Sequence, residues 1–566
     1  MELIPLIRAA RGRAPADLVI KNISMLMTPT GEWITGDLAV CGDRIVAAGP
    51  EAYSGRREID GTGRFAVPGF IDAHVHVESC HALPFAFESA VLPRGTTAAV
   101  CDPHELANVC GKAAIRYFLD CAKKMRMDLR IQLSSCVPAT PLETAGATLS
   151  AEDLAEFRDD PHVIGLAEFM NVPGVLMEDP GALAKLTAFA GRVIDGHAPL
   201  FSGRDLNAYI ACGVGSDHEC STPAEALDKI RRGMTVFVRE GSVAKNLNAL
   251  APVISPETAD FIALCADDRN VLDMTRYGHL DGLIRQLIAA GVAPELAYRT
   301  ASLSAARHFR MYDRGMLAPG RIADIVILDD VRECAVHRVV KSGRPVDEFP
   351  EPADAPDTSF ALGSMRRAPI SADDLRIVSK QTSTPVIRIV PDSLITEREI
   401  CELELAADGT KLPAPERDIL KICVIARHGV NDNIGRGFVR GFGMRNGAFA
   451  SSVGHDSHNL CVVGTDDADM VIAVNTLIAC GGGFTAVSGG RVLATAEFPV
   501  GGLMSDKPFP VIVRDMRTLF DAVQKIGCAV HDPFMQLAFL PLPVIPFLKL
   551  TDKGLVDVDK FDFIEV

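Results

Sequence analysis

The spacing of hydrophobic positions changes along the chain, and each change marks a different kind of structure. Residues 16–66 and 317–350 alternate short apolar and polar runs between glycine turns, which is typical of antiparallel strands. Between these two pieces, apolar runs of strand length alternate with helix-compatible segments, which indicates parallel strands joined by crossover helices. We therefore predict that the flanking pieces pair as one discontinuous sheet and that the central segment is inserted into it.

The central segment contains eight apolar runs, which is the number of strands that closes a TIM barrel. They are FIDAHVHV, TTAAVCDP, LRIQLSSC, VIGLAEF, GRVIDGHA, GVGSDHE, MTVFVRE and FIALCADD. A linker, DEFPEPADAPDTS, precedes a last glycine-rich segment. We predict an α/β protein with a small discontinuous β-sandwich-like domain (residues 1–66 and 317–350), a (β/α)8 barrel hydrolase domain (residues 67–316) and a C-terminal α+β domain (residues 360–566).

The composition excludes several classes of partner. The chain has 73 acidic and 57 basic residues, a net charge of −16, which disfavours a nucleic-acid surface. Its 15 cysteines include no CxxC pair, so neither a disulfide framework nor a cysteine zinc site is indicated. Neither a signal peptide nor a spanning segment is read, since prolines interrupt the apolar stretch LAFLPLPVIPFLKL. We expect a cytoplasmic protein with a small-molecule substrate, which binds no nucleic acid or membrane.

Metal-ligand residue types fall at the ends of the predicted barrel strands. His74 and His76 are two apart in one strand, so both imidazoles project from the same face, about 6.6 Å apart along the backbone. Four more candidates end later strands: Glu168, His197, His218 and Asp267. A single buried histidine or acid is more often structural. Six of them at the strand ends, where TIM barrels place active sites, predict a metal centre.

This set of ligands indicates hydrolytic chemistry. Four imidazoles, a carboxylate able to bridge and a further acid can bind two divalent ions with a water between them. Such ions lower the pKa of a bound water from about 15.7 to about 7, which makes hydroxide available as a nucleophile. An acid beside that water can take its proton and pass it to the leaving group, and Asp267 is the candidate for this role.

Longer motifs carry a resemblance to a known family. PGFIDAHVHVE, GTTAAVCDPHELANVCG, GLAEFMNVPGVL, SDHECST and CADDRN resemble the adenine deaminase family of the amidohydrolase superfamily. RHGVNDNIGRGFVRGFG and GHDSHN are similar to the C-terminal domain of that family, so the resemblance covers nearly the whole chain. The chain departs from the family at Arg269 and Asn270, where a His-Pro pair is common, and at Ala426, where an acid is expected.

The resemblance implies hydrolytic deamination of adenine to hypoxanthine and ammonia in purine salvage. It implies a binuclear centre of Mn²⁺ or Fe²⁺, with Zn²⁺ as a further option, and we expect a homo-oligomer of two or more subunits. Glu168 then bridges the metals, and Asp267 is both a ligand and the proton carrier. The alternatives are a deaminase of N6-substituted adenine, a hydrolase of another cyclic amidine or amide, and a non-catalytic scaffold, which the complete ligand set disfavours.

Further residues are candidates for substrate binding or proton transfer. Asp102 and His104 in DPHE either orient a ligand or contact the substrate, whereas Glu240 and Ser242 in REGS either bind the purine edge or, for Ser242, cap a helix. Glu219 is expected to point away from the barrel interior. His104 and Glu240 are the alternative proton carriers. Two further candidates lie elsewhere: His279, and His458 with Asp456 in GHDSHN, a loop that forms either a lid or a turn network.

Overall fold

The computed structural model describes residues 3–350, 354–390 and 393–566, so residues 351–353 of the predicted linker lie outside the described residues. The first sheet combines eight strands from two distant parts of the chain. These strands are β1 (Leu18–Met27), β2 (Glu32–Cys41), β3 (Arg44–Gly49), β4 (Glu58–Asp60), β5 (Phe65–Pro68), β14 (Ile325–Asp330), β15 (Ala335–Lys341) and β16 (Arg344–Pro345). Their order is β16-β15-β14-β5-β1-β2-β3, with β4 beside β1.

The two parts of this sheet meet at β5 and β14. These strands run antiparallel, with Ile325 opposite Pro68 and Leu328 opposite Phe65. Apolar side chains from both parts, including Ile20 and Ile327, are buried in one shared core. Burial of this shared apolar surface holds the start of the chain against a segment about 300 residues later.

The inserted segment forms eight parallel strands. They are β6 (Phe70–Val75), β7 (Thr96–Cys101), β8 (Asp128–Leu133), β9 (Val163–Phe169), β10 (Val193–Gly196), β11 (Ser216–Asp217), β12 (Thr235–Arg239) and β13 (Ile262–Cys265). Strands β6 to β10 pair in order, as do β11 to β13. The Gly215 amide donates to the Ile194 carbonyl, and the Asp267 amide to the His74 carbonyl, which joins the two sheets at both edges. The structure confirms the predicted TIM barrel.

Helices connect the strands and cover the sheets. Asn270, one of the departures from the family pattern, caps the helix Val271–Tyr277, where its side chain accepts hydrogen bonds from the Leu272 and Asp273 amides. The helices are Leu3–Ala10, Pro84–Val91, His104–Cys110, Lys112–Ala122, Ala151–Ala155, Val172–Leu176, Pro180–Ala188, Gly203–Ala211, Pro223–Arg231, Leu247–Leu250, Val271–Tyr277, Leu280–Ala289, Pro294–Thr300, Leu303–His308, Asp467–Cys480, Phe509–Lys525 and Pro533–Ala538.

The C-terminal part is a mixed α and β structure, as predicted. Its eight-stranded sheet has the order β18-β17-β20-β19-β22-β21-β23-β24, and a hairpin-connected sheet contains β25 to β27. The strands are β17 (Ser383–Ile389), β18 (Thr396–Glu402), β19 (Ile419–Ile425), β20 (Ile434–Arg440), β21 (Ala448–Ser451), β22 (Leu460–Gly464), β23 (Gly483–Ser488), β24 (Arg491–Glu497), β25 (Leu548–Thr551), β26 (Gly554–Asp557) and β27 (Asp562–Ile564).

The C-terminal part is attached to the segments that follow the barrel strands. The Asn459 side chain donates to the carbonyl of Thr144, after β8, and the side chain of Asn270, after β13, donates to Asp532. The end of the barrel that carries the predicted ligands is therefore covered. Across the described ranges, no helix has the length and apolar character needed to cross a membrane.

Candidate metal centre and active site

The barrel brings all six predicted ligand residues together. Each comes from the carboxyl end of a strand or lies one or two residues after it, and each is at most 7% exposed. Five strands contribute, because β6 supplies two ligands and β9, β10, β11 and β13 supply one each. The six residues are His74, His76, Glu168, His197, His218 and Asp267.

The Glu168 carboxylate lies between two pairs of imidazoles. Its Oε1 atom is 3.2 Å from His76 Nε2 and 3.6 Å from His74 Nε2. Its Oε2 atom is 2.9 Å from His197 Nδ1 and 3.2 Å from His218 Nε2. Asp267 Oδ1 joins the first pair, at 3.4 Å from His76 Nε2. The two oxygens of one carboxylate thus face two separate groups of donors, which is the geometry of a bridging ligand.

These distances fit divalent metal ions that take nitrogen and oxygen ligands. Tetrahedral coordination with bonds of about 2.1 Å places neighbouring donor atoms about 3.4 Å apart, close to the separations seen here. His74 Nε2 and His76 Nε2 face each other at 3.0 Å, which a shared cation explains better than a lone proton. His76 Nδ1 lies 3.0 Å from the Asp102 carbonyl, the arrangement that leaves Nε2 free to bind a metal.

Neighbouring charges keep the two carboxylates of the cluster ionised. Burial alone would raise the pKa of Glu168, but the charge of His218 and a hydrogen bond from His197 outweigh it and hold the pKa well below its ordinary value. Burial would also raise the pKa of Asp267. The charge of Arg239 and a hydrogen bond from His76 outweigh it and keep the pKa of Asp267 well below the ordinary value. Both groups therefore present charged oxygens to a cation.

Arg239 is a site residue that the sequence analysis missed. Its guanidinium donates to Asp267 Oδ2 at 2.9 Å and forms a bidentate pair with Glu219. Glu219 does not point away as expected, because Oε1 lies 3.4 Å from His218 Nε2 and 3.5 Å from His197 Nδ1. The expectation assumed that alternation along the strand continues, but β11 ends at Asp217. Side chains alternate between the two faces of a strand, so Arg239 and its neighbour Glu240 are expected on opposite faces of β12. This alternation was the sequence signal that could have distinguished them.

Three predicted substrate residues do not reach the cluster. Glu240 Oε1 accepts a hydrogen bond from Gln286 Nε2 at 3.1 Å, and Ser242 Oγ accepts one from the Asn270 amide rather than capping a helix. His279 lies between Thr96 and Asp72, with Nε2 3.1 Å from Asp72 Oδ2. The hydrogen-bond partners of all three lie outside the metal-ligand cluster, and the three residues do not line the cavity above it.

The DPHE motif lies at the edge of the cluster. His104 Nδ1 is 2.9 Å from Asp102 Oδ2 and 3.5 Å from Glu168 Oε1. Asp102 also accepts a hydrogen bond from Ser134 Oγ, so it orients both His104 and, through its carbonyl, His76. His104 lines the cavity above Glu168, whereas Asp102 does not.

A small cavity lies over the cluster. Five of the six ligand residues, all except His74, form its floor, and apolar side chains of the C-terminal part form its roof, namely Leu394, Phe539, Leu542 and Ile545. The GHDSHN loop reaches this cavity through His455 and Asp456. His458, the residue predicted to bind substrate, instead contacts Glu105 and does not line the cavity.

Comparison with known proteins agrees with this arrangement. The amidohydrolase family model matches residues 65–346, and the model of the adenine deaminase C-terminal domain matches residues 393–562. Adenine deaminases from Methylobacterium sp. (strain 4-46) and Gluconobacter oxydans (strain 621H) are 54% and 53% identical. The matches cover 99% and 98% of this chain, and the same shares of the relatives. The chain belongs to the adenine deaminase family.

In this member of the family, one buried lysine connects two parts of the cavity roof. Lys549 Nζ donates to the carbonyls of Leu394 and Phe539, at 2.9 and 3.0 Å. The side chain is fully buried, and burial lowers the pKa of Lys549 to about 7. Both acceptors are uncharged carbonyls, so they do not offset the cost of burying a charged amine at this position.

Lys549 gives the adenine deaminase fold a specific pH dependence. Between about pH 7 and 10.5 the unfolded chain binds the Lys549 proton and the folded chain does not, so the free energy of unfolding rises with pH over that range. We expect wild type to gain stability relative to Lys549→Met between pH 7 and 10. Chemical denaturation at several pH values measures this difference. The exposed Lys553→Met is the control, and a pH-independent difference for Lys549→Met would contradict the assignment.

Proposed function

We propose that the protein hydrolyses adenine to hypoxanthine and ammonia, as part of purine salvage in the cytoplasm. The observation that carries this proposal is the Glu168 carboxylate between two groups of imidazoles, in a chain that aligns over its full length with proteins named adenine deaminase. A planar base fits the arrangement of a polar floor under an apolar roof. We further propose that the enzyme works as a homo-oligomer.

We propose two divalent metal ions per chain, with Mn²⁺ or Fe²⁺ favoured and Zn²⁺ possible. His74, His76, Asp267 and Glu168 Oε1 would hold one ion, and His197, His218 and Glu168 Oε2 would hold the other. When bound, such ions lower the pKa of water enough to supply a nucleophile near neutral pH.

The chain's own residues then handle the protons. We propose that the Asp267 carboxylate takes a proton from the attacking water and gives it to the departing amine. Arg239 supports this role, because it engages Oδ2 and leaves Oδ1 toward the cluster. His104, which lines the cavity beside Glu168, is the second candidate for proton transfer. The apolar roof excludes bulk water and strengthens these interactions.

The direct test is ammonia release from a panel of amino-substituted bases. Adenine should give the largest kcat/KM, and adenosine and cytosine should be poor substrates. N6-methyladenine is included because the same site could remove methylamine from it. The assays use the full chain reconstituted with Mn²⁺, Fe²⁺ or Zn²⁺. A larger kcat/KM for adenosine or N6-methyladenine than for adenine would overturn the proposed substrate.

Metal content tests the two-ion proposal. Fully active protein should contain about two ions per chain, because six ligand residues exceed the needs of one tetrahedral ion. His197→Ala and His74→Ala should each lose metal and activity, as each removes one bond to a different ion. Elemental analysis after gel filtration measures the content. His162→Ala, a partly exposed histidine paired with Asp160 outside the cluster, should retain both ions. One ion in fully active enzyme would contradict the proposal.

Asp267→Asn separates proton transfer from metal binding. Asparagine keeps the size and one oxygen donor but cannot accept a proton at neutral pH, so kcat should fall by roughly 10² to 10⁴ while metal content stays unchanged. Steady-state kinetics and elemental analysis are run on the same preparation. The surface variant Asp228→Asn should behave as wild type. A near-normal kcat with full metal content would assign the proton transfer to another group, with His104 next.

A further inference from the structure

Asp456 brings a buried carboxylate from the C-terminal domain to the cavity. It lies in the loop between β21 and β22, is 2% exposed and lines the cavity together with the metal-ligand residues. Its Oδ2 atom has no hydrogen-bond partner within residues 3–350, 354–390 and 393–566. A buried carboxylate oxygen without a donor is costly, so the position of Oδ2 calls for a donor that comes from outside the chain.

The surrounding side chains do not supply that donor. Two imidazole nitrogens, His104 Nε2 and His455 Nδ1, each lie 3.9 Å from Asp456 Oδ1, which is beyond hydrogen-bond reach. Both are closer to Glu105 Oε1, at 3.2 and 2.8 Å. The two imidazoles are therefore engaged by Glu105, and the further negative charge of Glu105 makes the burial of Asp456 less favourable still.

Asp456 and Glu168 line the same cavity, and His104 is close to both of them. His104 lies between them, with Nδ1 3.5 Å from Glu168 Oε1 and Nε2 3.9 Å from Asp456 Oδ1. Asp456 and Glu168 therefore approach different nitrogens of one imidazole ring. A 6-aminopurine with its C6 amine over the cluster has its five-membered ring on the far side, and in the free base that ring carries an N–H group.

We infer that Asp456 accepts a hydrogen bond from the five-membered-ring N–H of a free 6-aminopurine, and so discriminates the base from its 9-substituted derivatives. This inference rests on the proposed function. A nucleoside has ribose in place of the proton on N9, so it leaves the carboxylate buried and unpaired. The apolar roof residues Leu542 and Ile545 offer no side-chain hydrogen bonds to a sugar. Rejection by an unsatisfied buried polar group is stronger than rejection by loss of apolar contact.

The test compares adenine with 9-methyladenine on Asp456→Ala and Asp456→Asn. A hydrogen bond to a charged group contributes about 1.5–3 kcal/mol, so kcat/KM for adenine should fall roughly 10- to 150-fold in Asp456→Ala, mainly through KM. Asp456→Asn keeps an acceptor oxygen, so its kcat/KM for adenine should fall less than that of Asp456→Ala. The affinity for 9-methyladenine, measured as KM or as the inhibition constant against adenine, should change less than about threefold, which reduces the preference for the free base.

Controls distinguish this role from a structural one. Both variants should keep the metal content of wild type, and Asp466→Asn, at the N-terminal cap of the helix Asp467–Cys480, should keep wild-type kinetics. An equal loss of affinity for both compounds, or no loss for adenine, would overturn the inference. Absence of ammonia release from adenine by the wild-type enzyme would instead reject the proposed function, so the two failures are distinguishable.

Discussion

The burial of one charged carboxylate, Glu168, is the constraint on which the rest of the site depends. An isolated buried carboxylate is strongly unfavourable, and the cost is offset only by opposite charges or metal ions held at close range. The compensating groups come from three other strands, so they converge only when the barrel is closed. One hydrogen bond lies at the point where the barrel closes: the Asp267 amide donates to the His74 carbonyl where β13 meets β6. The contact that joins these strands also places Asp267 beside the histidines.

A second layer of charge sets the orientation of the ligands. Arg239 connects Glu219 and Asp267, so the guanidinium supports two carboxylates on the same side of the cluster. Asp268 is held by the Ser79 hydroxyl at 2.5 Å. The acids of the site outnumber its permanent cations, which gives the cavity floor a negative character. This excess of negative charge favours the binding of divalent cations. The hydrogen bonds from Arg239 and Ser79 orient the carboxylate oxygens before the cations bind.

The C-terminal domain covers the site, and a buried cation secures its loop. Arg427 is fully buried and donates to the carbonyls of His458 and Gly501 and to Ser364 Oγ. Burial lowers the pKa of Arg427 to about 10, since the acceptors carry no charge. These bonds hold the loop that contains Asp456 against the barrel. The adenine deaminase C-terminal domain therefore lines the cavity over the ligand cluster.

The sequence by itself determined the local elements and the residue types at their ends. Period-two spacing placed His74 and His76 on one face, and the repeated strand pattern predicted the barrel and positioned Glu168, His197, His218 and Asp267 at the same edge. Whole motifs also identified the family, because many spaced residues had to match together.

The choice between neighbouring residues was decided by the tertiary structure. Glu240 was expected in the site and its neighbour Arg239 is found there, because strand alternation separates the two faces but only barrel closure decides which face is inside. Glu219 turns inward because β11 ends two residues earlier. The loop of Asp456 reaches His104 across about 350 residues of sequence, where spacing carries no information about distance. Local periodicity encodes which residues share a face of one element, whereas the distance between elements depends on how their buried surfaces pack.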